Sequence, residues 1–136
     1  MRGVLALALG GLLLLTSCGD RTCGVEMPTS EFVLCWADSL EVPDTLAVGE
    51  SIPARVWGVA GPDLCYHLER IECELVGPTW VLTPIARHYV NVGCYYMVSH
   101  FDQVVTLTPP GLGWVYVEVL SRKRVLLDSV YVRPPQ

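Results

Sequence analysis

Ser99, His100 and Asp102 place the residue types of a nucleophile, its base and an orienting acid within four positions. Hydrolytic chemistry needs the serine hydroxyl within hydrogen-bond reach of the imidazole. Neighbouring residues of an extended strand point to opposite faces, so Ser99 and His100 cannot meet in that way. The chain also lacks the G-x-S-x-G turn that exposes such a serine. Glu69, Glu72 and Glu74 could suggest a glycosidase pair, but such carboxylates come from separate elements across a deep cleft. Here they read as a solvated strand face. His67, His88 and His100 lie 21 and 12 residues apart, without the close local spacing that marks a zinc site. No catalytic residues, no metal and no cofactor are expected.

The elements that must position these residues are short. Apolar, β-branched and aromatic runs recur at Phe32–Trp36, Thr45–Val48, Ile52–Val59, Cys65–Val76, Trp80–Ala86, Cys94–Val98, Gln103–Leu107, Trp114–Leu120 and Val125–Val132. Gly, Pro, Asn and Asp separate them, at Pro43-Asp44, Gly49, Gly61-Pro62-Asp63, Gly77-Pro78 and Pro109-Pro110-Gly111. No amphipathic helix of ten or more residues interrupts the series. Short strands with turn residues between them predict an all-β sandwich or barrel. Pro53 and Pro84 cannot donate to a ladder and predict strand starts, bulges or edges.

The first eighteen residues follow a different pattern. Met1-Arg2-Gly3 carries a positive charge, and Val4–Leu15 is an uncharged apolar run. Twelve residues are too few for a membrane span, which takes roughly 20. A short apolar core behind an arginine predicts an export signal. Leu15-Thr16-Ser17-Cys18 resembles the lipobox of bacterial lipoproteins. That resemblance implies cleavage before Cys18 and acyl chains on it, anchoring the protein to the cell envelope, with the outer membrane favoured over the inner because Gly19 follows. Two or more acyl chains hold a protein stably on a bilayer. The expected organisation is a signal at 1–17, a lipidated cysteine and short tether at 18–30, and one domain at 31–136.

Removal of residues 1–17 from 136 leaves 119, enough for one domain with a core. Eight basic residues then face fourteen acidic ones, a net charge of −6 that argues against nucleic acid as a partner. Export makes disulfides the default for Cys23, Cys35, Cys65, Cys73 and Cys94. Cys73 alternates with Glu72 and Glu74 and shares a face with Ile71 and Leu75, which predicts a free, buried thiol. Cys65 and Cys94 both stand where a loop meets a strand and are expected to pair. Cys23 and Cys35 remain as the second pair. No C-x-x-C redox motif is present.

The segments TLAVGESIPARVWG and GLGWVYVEVL resemble strands of bacterial immunoglobulin-like domains, although the antibody Cys-Trp-Cys arrangement is not met. The resemblance implies a sandwich of seven to nine antiparallel strands; a lipocalin-like barrel carrying a small apolar ligand is the alternative. Alternation puts Tyr95 and Tyr96 on opposite faces, so one should be exposed. With Trp114 they are candidates for binding an envelope protein. Arg122-Lys123-Arg124 is the only positive cluster, on an expected hairpin tip, and is a candidate for contact with anionic headgroups or lipopolysaccharide. The expectation is a lipid-anchored, non-enzymatic binding or scaffolding module.

Overall fold

A computed structural model describes residues 28–136. Cys18, Cys23, the signal and most of the tether lie outside the described residues. From Pro28 onward the chain forms nine strands and no helix: β1 (Ser30–Leu34), β2 (Trp36–Glu41), β3 (Thr45–Ala47), β4 (Ile52–Gly61), β5 (Tyr66–Val76), β6 (Thr79–Tyr89), β7 (Ser99–Leu107), β8 (Gly113–Val119) and β9 (Leu126–Arg133). They make a β-sandwich. One sheet has six strands, β1-β6-β8-β9-β3 with β5 on the far side of β6, and the other has three, β2-β4-β7. Among the described residues five pairings are antiparallel, while β3 with β9 and β6 with β8 are parallel.

Alternation builds the core. In β4, Ile52, Ala54, Val56 and Ala60 are buried, while Pro53 and Arg55 face water. In β8, Val115, Val117 and Val119 point inward, against Trp114 and Tyr116 outward. With Leu82, Ala86, Phe101, Leu107, Val130 and Val132 these side chains fill the space between the sheets. Among the described residues the two sheets stay open rather than closing into a barrel, and the core residues between them pack at 8% exposure or less. No buried side-chain nitrogen or oxygen among the described residues lacks a hydrogen-bond partner.

The first expected strand is in fact two. The chain changes sheets at Cys35, which is wholly buried between β1 and β2. Its N–H donates to the Pro84 carbonyl at 3.0 Å, and its carbonyl accepts the Arg122 N–H at 3.2 Å. Pro84 therefore sits inside the sheet, contrary to the edge position that its missing N–H suggests. β6 meets β8 along Thr79–Leu82 and β1 along Ile85–Tyr89. Opposite Ile71 of β5 on one edge, Pro84 falls on its other edge in the gap between those two partners, where its carbonyl accepts the Cys35 N–H and no donor is asked of it.

Cys73 corrects the expected buried thiol. It is free but exposed. Its face was read correctly, because it stands opposite Leu82, which is fully buried. The six-stranded sheet is wider than the three-stranded one, so the β5–β6 hairpin overhangs and the inward side of its outer strand is uncovered. Leu75 is exposed for the same reason. Cys35 is the buried thiol instead, with no disulfide partner among the described residues; Cys23 lies outside them.

Burial pushes the Cys35 thiol from 9.0 up to about 11, against a smaller opposing effect of the Arg122 charge. Its neutral form is thus favoured by folding, a contribution fully present below pH 9 and lost as pH rises towards about 11. Mass-spectrometric maleimide mapping of the native protein at pH 8 should label Cys73 and spare Cys35. Both should react after denaturation and reduction. Labelling of native Cys35 at the rate of Cys73 would contradict the buried crossing.

Candidate functional site

Two exposed aromatic groups stand out, one at an end of the sandwich and one on a sheet face. The end is formed by Ser30, Tyr89, Tyr66, Gly61 and Ser99, which lie at adjoining strand termini through the β1–β6, β5–β6 and β4–β7 registers. Above it runs the connection from Val90 to Val98. Sequence alternation predicted a strand over Cys94–Val98, but the segment is a loop. The Tyr95 carbonyl accepts the Leu64 N–H at 3.2 Å and the Met97 N–H at 2.8 Å. These local bonds replace a strand ladder, and Asn91 turns the chain with φ of 60°.

The expected disulfide joins Cys65 to Cys94 with a Cα separation of 5.6 Å, although Cys94 lies within the loop and not at the start of a strand. Asp63 Oδ1 accepts the Cys65 N–H at 2.8 Å, and Cys65 accepts the Tyr89 N–H on its carbonyl at 3.0 Å. Asp63, Cys65 and Cys94 are metal-ligand types held within one small region. Their sulfurs are bonded to each other and the carboxylate closes a turn, so the cluster locks the loop. A cleft of about 410 Å³ lies beside it, lined by Asp63, His88, Tyr89, Val92, Cys94 and Tyr96.

Because the segment is a loop, Tyr95 and Tyr96 are not divided between two faces. Tyr95 is 82% exposed and Tyr96 fully exposed. Met97 at 59% and Val92 at 47% extend the apolar surface. Sequence reasoning singled out the tyrosines and missed Met97 and Val92. The missed signal is the run from Val90 to Ser99, ten residues without a charge.

The second group lies on the outer face of the six-stranded sheet. Trp114 opposes Tyr131 across β8 and β9, and their rings meet edge to face at 5.2 Å. Tyr116 and Leu127 are exposed on the same face, with Trp114 at 56% exposure. Higher on that sheet Phe32 is covered differently, by the guanidinium groups of Arg70 and Arg87 at 4.9 and 5.3 Å from its ring. Arg87 in turn forks onto Glu69 at 2.6 and 3.0 Å.

The remaining candidates also make contacts within the chain. Arg122 stacks over Trp36 at 5.0 Å, Arg124 donates to the Asp38 carbonyl at 3.1 Å, and Lys123 approaches the Asp38 carboxylate at 3.7 Å. The basic connection joins β8 to β9 as a hairpin, leans back on β2 and leaves all three side chains exposed. Asp102 accepts from two of the Arg55 nitrogens at 2.7 and 2.9 Å, which lowers its carboxyl from the usual range and engages it with Arg55 across the strands. His88 lies flat on Tyr66 at 4.0 Å and meets Glu31 at 2.9 Å. His67 pairs with Arg87 one register step away, on the other face, and His100 belongs to the other sheet. The three histidines do not converge.

Among the described residues, the fold and these surfaces define an all-β sandwich with one disulfide and two exposed aromatic groups. Compared with known proteins, the chain matches no family model, no curated protein and no solved structure.

The bridge closes a separation of 29 residues. Chain-entropy arithmetic gives such a loop about 3.5 kcal/mol of stabilisation. A Cys65→Ala, Cys94→Ala double variant should lose stability of that order in urea unfolding, and backbone exchange should rise first over residues 90–98. An unchanged unfolding midpoint would show that the loop holds itself.

Proposed function

We propose that this protein is an exported, lipid-anchored and non-enzymatic binding module of the cell envelope. The lipobox-like Leu15–Cys18 supports the anchor, and the Trp114, Tyr116, Leu127 and Tyr131 face carries the binding role. An exposed aromatic group on a rigid sheet loses little conformational entropy on contact and contributes a large apolar area. The four side chains are fixed by the β8–β9 register, so the face is preorganised. A carrier would need an enclosed apolar cavity. The filled core favours the interaction module over that alternative, because a ligand would have to displace packed side chains.

Photo-crosslinking in intact cells tests the binding role. A crosslinker at position 116, beside Trp114, should give a discrete protein adduct that a Trp114→Ser, Leu127→Ser variant loses, while one at position 55 on the opposite sheet gives none. Equal adducts from both positions would remove the proposed face. For the anchor, Cys18→Ser should shift the protein from the membrane to the soluble fraction, and the mature N-terminal peptide should carry acyl mass. Wild-type protein with a bare Cys18 would sink the lipoprotein reading.

A further inference from the structure

The chain enters the domain beside the exposed loop. Val90 donates its N–H to the Thr29 carbonyl at 2.9 Å, and Ser30 stands opposite Tyr89 in the β1–β6 register. Whatever holds the chain upstream of Pro28 therefore pulls on the end that carries Val92, Tyr95, Tyr96 and Met97. The opposite end holds Gly49, Pro109, Gly111 and Leu112 around a separate cleft. An eleven-residue strand such as β6 separates the two ends by about 35 Å at the usual rise.

We propose that the Val90–Val98 loop is a bilayer-contact surface, with Tyr95, Tyr96 and Met97 seated among the lipid headgroups of the membrane to which Cys18 is anchored. This rests on the lipid-anchor reading given above. Ten residues separate Cys18 from Thr29, and a chain of that length averages about 20 Å end to end, less than the length of the sandwich. The tether-side end is then the end that faces the bilayer.

The chemistry of the loop suits that position. Tyrosine is enriched at membrane interfaces because its ring has an apolar body and a polar tip. The loop itself carries no charge from Val90 to Ser99, and Asp63, the acidic side chain beside it, already accepts the Cys65 N–H. The disulfide and the Leu64–Tyr95 hydrogen bond fix its backbone beforehand, leaving little ordering for the membrane to impose. The contact is apolar and interfacial in kind. An acidic domain has no net attraction to anionic lipid, so contact should occur on neutral lipid and survive high salt.

The test uses full-length protein, purified from membranes and placed in phosphatidylcholine nanodiscs containing doxyl-labelled lipid. Methyl-labelled methionine reports proximity by paramagnetic broadening. Met97 is a native reporter, assigned by its loss in Met97→Leu, and Leu112→Met adds one at the opposite end. The Met97 signal should lose intensity about two-fold or more, with the reporter at position 112 unaffected, at low salt and in about 1 M salt alike. Tyr95→Ser with Tyr96→Ser should reduce the Met97 loss, because both side chains are exposed and their removal leaves the fold intact. Equal broadening of the two reporters, broadening at 112 alone, or none at either overturns the proposal. The mass of the N-terminal peptide from the same sample separates the causes. An acylated Cys18 with an unaffected Met97 refutes the loop contact alone, and a bare Cys18 refutes the anchor and the contact with it.

Discussion

The structure turns on the backbone of one residue, Cys35. There the chain leaves the six-stranded sheet and enters the three-stranded one, in the middle of the core where no water can satisfy a peptide group. A buried peptide without partners costs on the order of a lost hydrogen bond at each end. Pro84 and Arg122 supply both partners, one from β6 and one from the connection after β8. The crossing therefore makes three separate parts of the chain depend on each other. The small thiol suits the place, since it fills core volume without asking for a further hydrogen bond.

That arrangement explains features that look unrelated. The loop after β8 must come back over β2 to give Cys35 its Arg122 N–H, and in doing so it lays the Arg122 guanidinium on Trp36 and brings Arg124 to the Asp38 carbonyl. Ser121 adds a hydrogen bond from its hydroxyl to the Ala37 carbonyl at 3.2 Å. Close packing continues one strand further in. A β-carbon on Gly58 would run into the backbone of Trp36 and Ala37, so β4 approaches β2 as only glycine allows.

Much of this was legible from alternation and turn residues. The all-β class, the strand pattern of Ile52–Val59 and Trp114–Leu120, and the Cys65–Cys94 bridge all follow from local patterns. What sequence alternation cannot report is how wide the opposing sheet is. It assigned Cys73 the correct face and the wrong exposure, because exposure depends on a second layer that stops short of β5. For Pro84 the edge alternative fails while a register shift does lie close by, because its neighbours change partway along β6, a matter of tertiary pairing. The tyrosines at 95 and 96 were found by type, but their common exposure depends on a disulfide and a turn that break the strand period.

The direction of β1 has a mechanical meaning. A force applied at Ser30, outward along the strand, stretches the β1–β6 ladder lengthwise and loads its five register pairs, Ser30–Tyr89 to Leu34–Ile85, at the same moment. Antiparallel strands drawn past one another in shear resist together, whereas a perpendicular pull would open them singly, like a zip. Beyond Leu34 the load passes through Cys35 into β2 and reaches the other sheet. A domain hung from its first strand in this geometry transmits tension through both layers before any part of it unravels.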